Sequence, residues 1–321
     1  TTLGFVGDLM WIRRDWETFL PSATLAQLRK FDGLVGNLES VISPAFPVRE
    51  FWPDLLNFNS RPELVRAFSR ADGSNLFAAL SFANNHTLDF GDRGALDTLK
   101  FLASEGIPCS GLRRDPTEST WAEFSQGGIR FGFYAATFGV NDRRRLAESR
   151  MLLETVPGLS PHRGAPDLSG ATAALAEMRT AGVDVSIVSL HWGHEFDFFP
   201  APYQREVAAR LAAAGADIVM GAHSHVQQPD EIIFVDDYAP EITGATRVAG
   251  EGLRVGLGPR KTLVMYGLGN FTTAMYREYC RLARVRRCIS FAMRKRAGWN
   301  GMCRKTTFIL TGHPAAGILA R

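Results

Sequence analysis

The chain has 321 residues, 45% apolar and 21% charged, the balance of a globular protein large enough to build a core without staples. No apolar run reaches the ~20 residues of a membrane span, no stretch has the form of a signal peptide, and no Cys-x-x-Cys pair announces a zinc ribbon. The net charge of +3 is unevenly spread: residues 276–321 hold eleven Lys or Arg against one acid, which leaves 25 basic and 32 acidic residues for 1–275. An acidic body with a basic tail can mark a polyanion-binding or membrane-surface appendage.

In chain order, a first strand covers residues 3–7 and ends at Asp8. A unit then recurs: a helical stretch, a Gly or Asp turn, a short apolar strand and a polar residue able to bind a ligand. Its two earlier copies end at Asn37 and Glu39 and at Asn84, Asn85 and His86. Residues 121–134 alternate around Gln126-Gly127-Gly128 and predict a β-hairpin. Residues 143–167, polar and with three prolines, predict a loop. The clearest copies follow. Gly182 caps a helix before a buried strand that ends at His191, and Gly215 caps one before a strand that ends at His223. Residues 227–261 predict a long excursion before a last strand over 262–266. This alternation defines an α/β fold.

Five of the seven histidines, His86, His191, His194, His223 and His225, follow strand-like segments. Open α/β sheets bind ligands at the carboxyl ends of their strands. Asp8, Glu39, Asn85, His86, His191, His223 and His225 would meet at such an edge. Carboxylates, an amide and imidazoles together suit a divalent ion such as Mn, Fe or Zn. His223 and His225 face the same way if the chain there is extended.

The ordered set Gly7-Asp8, Gly36-Asn37-Leu38-Glu39, Asn84-Asn85-His86, His191-Trp192-Gly193-His194-Glu195, Gly221-Ala222-His223-Ser224-His225 and Gly267-Leu268-Gly269-Asn270-Phe271 resembles the CapA-type poly-γ-glutamate capsule biosynthesis proteins. These are a branch of the calcineurin-like metallophosphoesterases. The resemblance runs from residue 3 to about residue 273. It implies a four-layer metallophosphoesterase-like fold, two packed mixed β-sheets flanked by helices, as one domain over 1–275, with 276–321 as a basic tail.

The resemblance also implies two divalent ions. Their ligands would be Asp8, a bridging Glu39, Asn85, His191, and His223 and His225 with one imidazole per ion. His86 would be the proton donor. Asn37, Asn84, His194, Glu195 and Asn270 would be substrate contacts or supports for the ligands. Asp89 predicts a cap or turn, and Trp192 with residues 196–199 a pocket wall or core. Two departures stand out: Met10 occupies a position where the superfamily often has a His ligand, and Glu39 replaces an Asp.

Two functions follow from the resemblance. One is a metal-dependent hydrolase acting on a phosphoester or γ-glutamyl bond. The other is a non-catalytic accessory of poly-γ-glutamate synthesis or export that binds the polymer, alongside the capsule synthesis machinery. An acidic body without aromatic residues interleaved among basic ones argues against nucleic acid as a partner. The resemblance places the protein at the bacterial cell envelope, where an anchor upstream of residue 1 would hold it. Cys280, Cys288 and Cys303 could form a disulfide.

Overall fold

The computed structural model describes residues 1–10, 12, 15–49, 57–159, 165–236, 247–249, 260–273, 287–296 and 299–308. The elements in chain order are β1 (Thr2–Met10), α1 (Ser22–Leu28), β2 (Gly33–Glu39), α2 (Glu63–Arg66), β3 (Phe77–Ser81), α3 (Gly91–Ser104), β4 (Cys109–Ser110) and β5 (Leu112–Arg113). Next come β6 (Trp121–Gln126), β7 (Ile129–Thr137), α4 (Arg143–Glu148), β8 (Leu152–Leu153), α5 (Ser169–Thr180), β9 (Val185–His191) and α6 (Pro202–Ala214). The last are β10 (Ile218–Ala222), β11 (Asp230–Asp236), β12 (Arg247–Ala249), β13 (Arg260–Met265), β14 (Asn270–Thr272), β15 (Arg287–Arg296) and β16 (Trp299–Phe308).

The first sheet runs β16-β15-β1-β2-β3-β4, with β14 also paired to β1, and the second runs β12-β11-β13-β10-β9-β7-β6. Neighbours among β1 to β4 are parallel, as are β7, β9, β10 and β13. β15 runs antiparallel to β1, β11 antiparallel to β13 but parallel to β12, and β6 antiparallel to β7, so both sheets are mixed. β5 and β8 form a separate antiparallel pair.

Three apolar clusters show how the layers stack. Leu3, Phe5 and Val35 of the first sheet meet Phe131, Phe133, Ile187 and Met220 of the second in one buried cluster between the sheets. The other face of the first sheet packs on α1 and α3 through Leu28, Leu34, Leu80 and Leu102. The other face of the second packs on α5 and α6 through Leu175, Val188, Leu211 and Val219. Each such large apolar side chain contributes roughly 1.5–3 kcal/mol when fully buried. The result is the expected helix–sheet–sheet–helix arrangement.

Two glycines of the ordered motifs have a packing reason. A Cβ on Gly7 would lie 1.7 Å from the Gly269 carbonyl oxygen, and one on Gly221 would lie 1.9 Å from that of Tyr266. Only a bare backbone allows these approaches, so the glycines set how closely the ligand-bearing edge is drawn in.

Several sequence expectations change. Residues 143–167 are not simply loop: α4 and β8 lie within them. Within 227–261, β11 adds a full antiparallel strand to β13. The fourteen-residue α3 has no counterpart in the sequence reading, because Gly91 and Gly94 at its start look like turn residues. Phe198 and Phe199 are exposed rather than core or wall. Part of the basic tail is regular, since β15 and β16 form a hairpin whose first strand pairs with residues 2–5 of β1. There Cys288 stands opposite Thr307 and Cys303 opposite Ala292, so these two cysteines are not register partners. Cys280 lies outside the described residues. No helix among the described residues is long and apolar enough to cross a membrane.

Candidate metal centre

The joint carboxyl edge of the two sheets gathers the acids and imidazoles. Asp8 lies in register with Asn37 of β2 and Asn270 of β14, and Glu39 with Met10. In the second sheet His191, the last residue of β9, is in register with Ala222 and Thr137. Contacts across the seam join the halves: the His223 amide donates to Asp8 Oδ2 at 3.2 Å, and Asn37 Nδ2 lies 3.5 Å from His191 Nδ1.

Glu39 sits at the middle. It is fully buried, and neither carboxylate oxygen has a hydrogen-bond partner. Around it, ligand atoms of Glu39, His191 and His223 come within 4.8 Å of one another, as do those of Asp8, Glu39 and His225. One carboxylate is thus common to two donor groups. His191 Nε2 approaches Glu39 Oε1 at 3.5 Å and Asn85 Oδ1 at 2.8 Å, so the amide oxygen points at the same spot. His225 Nδ1 meets Asn270 Oδ1 at 2.9 Å and Asp8 Oδ2 at 3.4 Å, while its Nε2 faces Glu39 Oε1 at 3.9 Å. His223 Nδ1 is buried without a partner.

The electrostatics follow from this crowding. Burial first, then the charges of Asp8 and Glu195, hold the Glu39 carboxyl well above the usual carboxylate range. Burial, reinforced by neighbouring histidines, pushes His191 and His223 well below the ordinary imidazole value, so both stay neutral. His225 moves the other way: burial pulls it down, but the hydrogen bond and charge of Asp8 outweigh that. A buried carboxylate without a partner is costly, as is an unpartnered buried imidazole nitrogen. Neutral imidazoles beside carboxylates are the donor set of a divalent cation. The residues therefore fit the ions that the resemblance implies.

The way His223 and His225 reach the site differs from expectation. The chain there is not extended. β10 stops at Ala222, and both histidines have positive φ, 86° and 55°. Such backbone costs a non-glycine residue of order 1–3 kcal/mol. The bend is held by Ser224, whose Oγ donates to Val226 O and whose carbonyl accepts from the Phe196 amide, both at 2.7 Å.

The remaining expected residues divide. Asn37 Nδ2 donates to Asp8 Oδ1 at 2.9 Å, and Asn84 Nδ2 to Leu38 O at 2.7 Å. Asn84 Oδ1 accepts from the His86 amide at 3.0 Å. These amides hold the backbone and Asp8 in place. Glu195 is 48% exposed, yet its Oε1 is 4.0 Å from His225 Nε2 and joins His223 and His225 as a third possible donor group. His194 is exposed on the same loop, and Met10 is buried in β1. Trp192 is core, donating to Tyr266 O at 2.9 Å.

Two residues escaped the sequence reading, and a third was given too small a role. Asp89 is more than a turn residue: its Oδ2 accepts from His86 Nδ1 at 2.7 Å and from the Phe58 amide at 2.6 Å. Phe58 stacks on the His86 ring at 4.0 Å. Asn141 pairs with Asn85 through a 3.0 Å backbone bond and a 3.1 Å side-chain bond. The Asp three residues after His86 was a usable signal; Phe58 and Asn141 carried none.

Fold and site define a two-sheet α/β protein with a buried carboxylate–imidazole centre between its sheets. The family described as bacterial capsule synthesis protein PGA_cap matches residues 2–275, and the chain belongs to it. It is 28% identical over 180 residues to the capsule biosynthesis protein CapA of Bacillus anthracis, across 55% of this chain and 41% of that one. It is 30% identical over 156 residues to the PGA biosynthesis protein CapA of Bacillus subtilis, across 49% and 39%. It is 33% identical over 157 residues to a probable polyglutamine synthesis accessory protein of Mycobacterium tuberculosis, across 47% and 40%. The matched stretch thus spans about two fifths of these relatives.

Among solved structures, a hypothetical protein from Thermus thermophilus aligns over 96% of this chain and 99% of its own, with 13% identity and a TM-score of 0.49. A novel phosphatase from Mycoplasma pneumoniae aligns over 95% and 93%, with 12% identity and a TM-score of 0.47.

Proposed function

We propose that this protein is a metal-dependent hydrolase of its family, cleaving a phosphoester or γ-glutamyl bond of an anionic substrate in poly-γ-glutamate capsule synthesis. The observation that carries this reading is Glu39, buried with both oxygens unpartnered and common to two donor groups. A pair of divalent ions, of the Mn, Fe or Zn kind, would supply Lewis-acid charge at the scissile group and activate water there.

The chain's own residues do the rest. Asp8 and His225 would hold one ion, and His191, His223 and Asn85 the other, with Glu39 common to both. Asn270 fixes His225 by its Nδ1, leaving Nε2 for ligation. Asp89 accepts from His86 Nδ1, which leaves Nε2 facing the site, and its carboxylate would support the imidazolium that gives its Nε2 proton to the leaving oxygen or nitrogen. Phe58 keeps that ring flat against one wall. Family membership supports a place beside the capsule synthesis machinery at the cell envelope.

The test joins metal content to turnover. Protein purified without chelator should hold about two ions per chain and turn over an aryl phosphodiester or an oligo-γ-glutamate. The His223→Ala variant should lose metal and turnover together. His86→Asn should keep its metal but lose ~100-fold or more in rate on substrates with poor leaving groups, and much less on a nitrophenyl ester. Full metal with no turnover on either substrate would favour the second reading, a polymer-binding accessory. Buried Met10, at the position of a frequent His ligand, is the feature that favours it. A chain without metal would remove the hydrolase reading.

A further inference from the structure

Beside the centre lies a segment that the reaction described above does not use. Over residues 141–150 the sequence reads Asn-Asp-Arg-Arg-Arg-Leu-Ala-Glu-Ser-Arg, with four guanidinium groups against two carboxylates. The rest of the body is acidic, so this is a local reversal of charge. The sequence alone placed it in a polar loop. The structure pins it along the edge that carries His86.

Both ends are tied down. At the start, Asn141 is bonded twice to Asn85, at 3.0 and 3.1 Å. At the end, Ser149 Oγ and the Arg150 amide both donate to the Asp92 carboxylate, the latter at 2.9 Å. In between, Arg145 Nη1 donates to Leu88 O at 3.2 Å. Residues 141–150 therefore run beside residues 85–92, which hold Asn85, His86 and Asp89. Arg143 follows Asn141 by two positions, so its side chain starts within two residues of a direct contact to the centre.

Two of the arginines, Arg143 and Arg144, are available. Arg143 is exposed and has no ion-pair partner among the described residues. Arg144 is 87% exposed, and it shares Asp142 with Arg145 at long range, 3.4 and 3.7 Å. Exposed pairs of this length hold their partners weakly. The loop after β9 brings the opposite charge, with Glu195 next to His225 and Asp197 exposed beyond it. An anionic substrate reaching Glu39 and His86 meets repulsion from Glu195 and attraction from Arg143 and Arg144.

We propose that Arg143 and Arg144, on the segment that Arg145 tethers to Leu88 O, form an oxyanion subsite, which takes a second carboxylate or phosphate of the substrate at least one unit from the bond to be cleaved. Guanidinium forks suit both anions, binding either by paired N–H donors. The subsite deepens the hydrolase reading and rests on it: it sets polarity, orienting a polyanionic chain so that its anionic arm lies over α4. A monoanionic ester of small size does not reach it.

The experiment uses the full, metal-loaded chain. Labelled oligo-γ-glutamate and linear tripolyphosphate are titrated against it at several salt concentrations, and metal content is measured on the same samples. The double variant Arg143→Glu, Arg144→Glu is compared with Arg179→Glu, an exposed site on α5 beside the opposite strand ends. The carboxylate and phosphate arms show which anion is preferred. The expected result is that at least one binds, that the double reversal weakens it tenfold or more, and that the slope of log affinity on log salt falls by about 1–2. Arg179→Glu, metal content and turnover of a small aryl ester should stay as in the parent chain.

No affinity of the parent chain for either anion would overturn the proposal, as would equal loss from Arg179→Glu or an unchanged double variant. These outcomes are separable from failure of the hydrolase reading. A chain without metal that binds anions through these arginines would sink the hydrolase and leave a polymer contact. A metal-loaded, active chain indifferent to the reversal would sink the subsite alone.

Discussion

Glu39 is a liability to the metal-free fold and, on the proposed reading, a shared ligand. Without a cation its carboxylate is buried among Asp8, Glu195 and Asp89, and it holds a proton at pH values where an exposed Glu would not. Replacing it with Gln keeps the shape and removes the cost of protonating the carboxylate on burial. Metal-free Glu39→Gln should therefore unfold at a higher temperature than the metal-free parent, by about 1–3 kcal/mol of stability, while binding no metal. Calorimetry with and without metal checks both parts. The direction of the shifts also fixes the pH dependence of loading. Glu39 and His225 both have raised values, so each must shed a proton to become a ligand. Metal affinity should weaken as pH falls through those raised values, and titration in buffers of different ionisation enthalpy should detect the released protons. An affinity that is flat from pH 8 to 5 would count against both residues as ligands.

The elements differ in how far the sequence discloses them. The strands that lead to His191 and His223 are legible because an apolar run stops abruptly at a polar residue and a capped helix precedes it. The helix α4 is not, because three arginines and a glutamate leave no apolar stripe to count; its place is set by Asn141 and Asp92. Asp8 and the His223 amide are 215 positions apart, and no periodicity in either segment encodes their meeting. The basic tail is the plainest case. Its composition suggests a solvated polymer-binding arm whose removal would weaken polymer binding in a salt-sensitive way. In the fold, β15 pairs instead with residues 2–5 of β1, and Asp8 lies roughly 10 Å further along that strand. Deleting residues 287–308 should bare the edge of β1, and light scattering should report association of the truncated chain. A monodisperse truncated chain with reduced polymer affinity would support the polymer-binding role.

At the scale of the whole molecule, the two sheets contribute different halves of the centre. Asp8 and Glu39 come from the first and His191 from the second, with His223 and His225 at its edge. Bound ions would tie the sheets together as well as serve chemistry. A metal present at about 100 times its dissociation constant stabilises the fold by ~2.7 kcal/mol. Chelation should accordingly lower the melting temperature of the parent chain and leave that of the His223→Ala variant almost unmoved, read by thermal unfolding with and without EDTA. The four layers were foreseen from the family motifs, and the alternation alone disclosed only α/β. How the layers meet depends on contacts such as Gly7 on Gly269, whose effect cannot be computed from either segment alone.

The distance along the chain between Asp8 and its partners has a further consequence during synthesis. Asp8 leaves the ribosome early, but His225 and Asn270 follow more than two hundred residues later. Until those segments arrive, Asp8 has neither its imidazole neighbour nor its partner strand β14. On the proposed reading the centre would act as a late checkpoint: a chain short of His225 would lack the donor group that includes Asp8, and full loading would report that both sheets have closed.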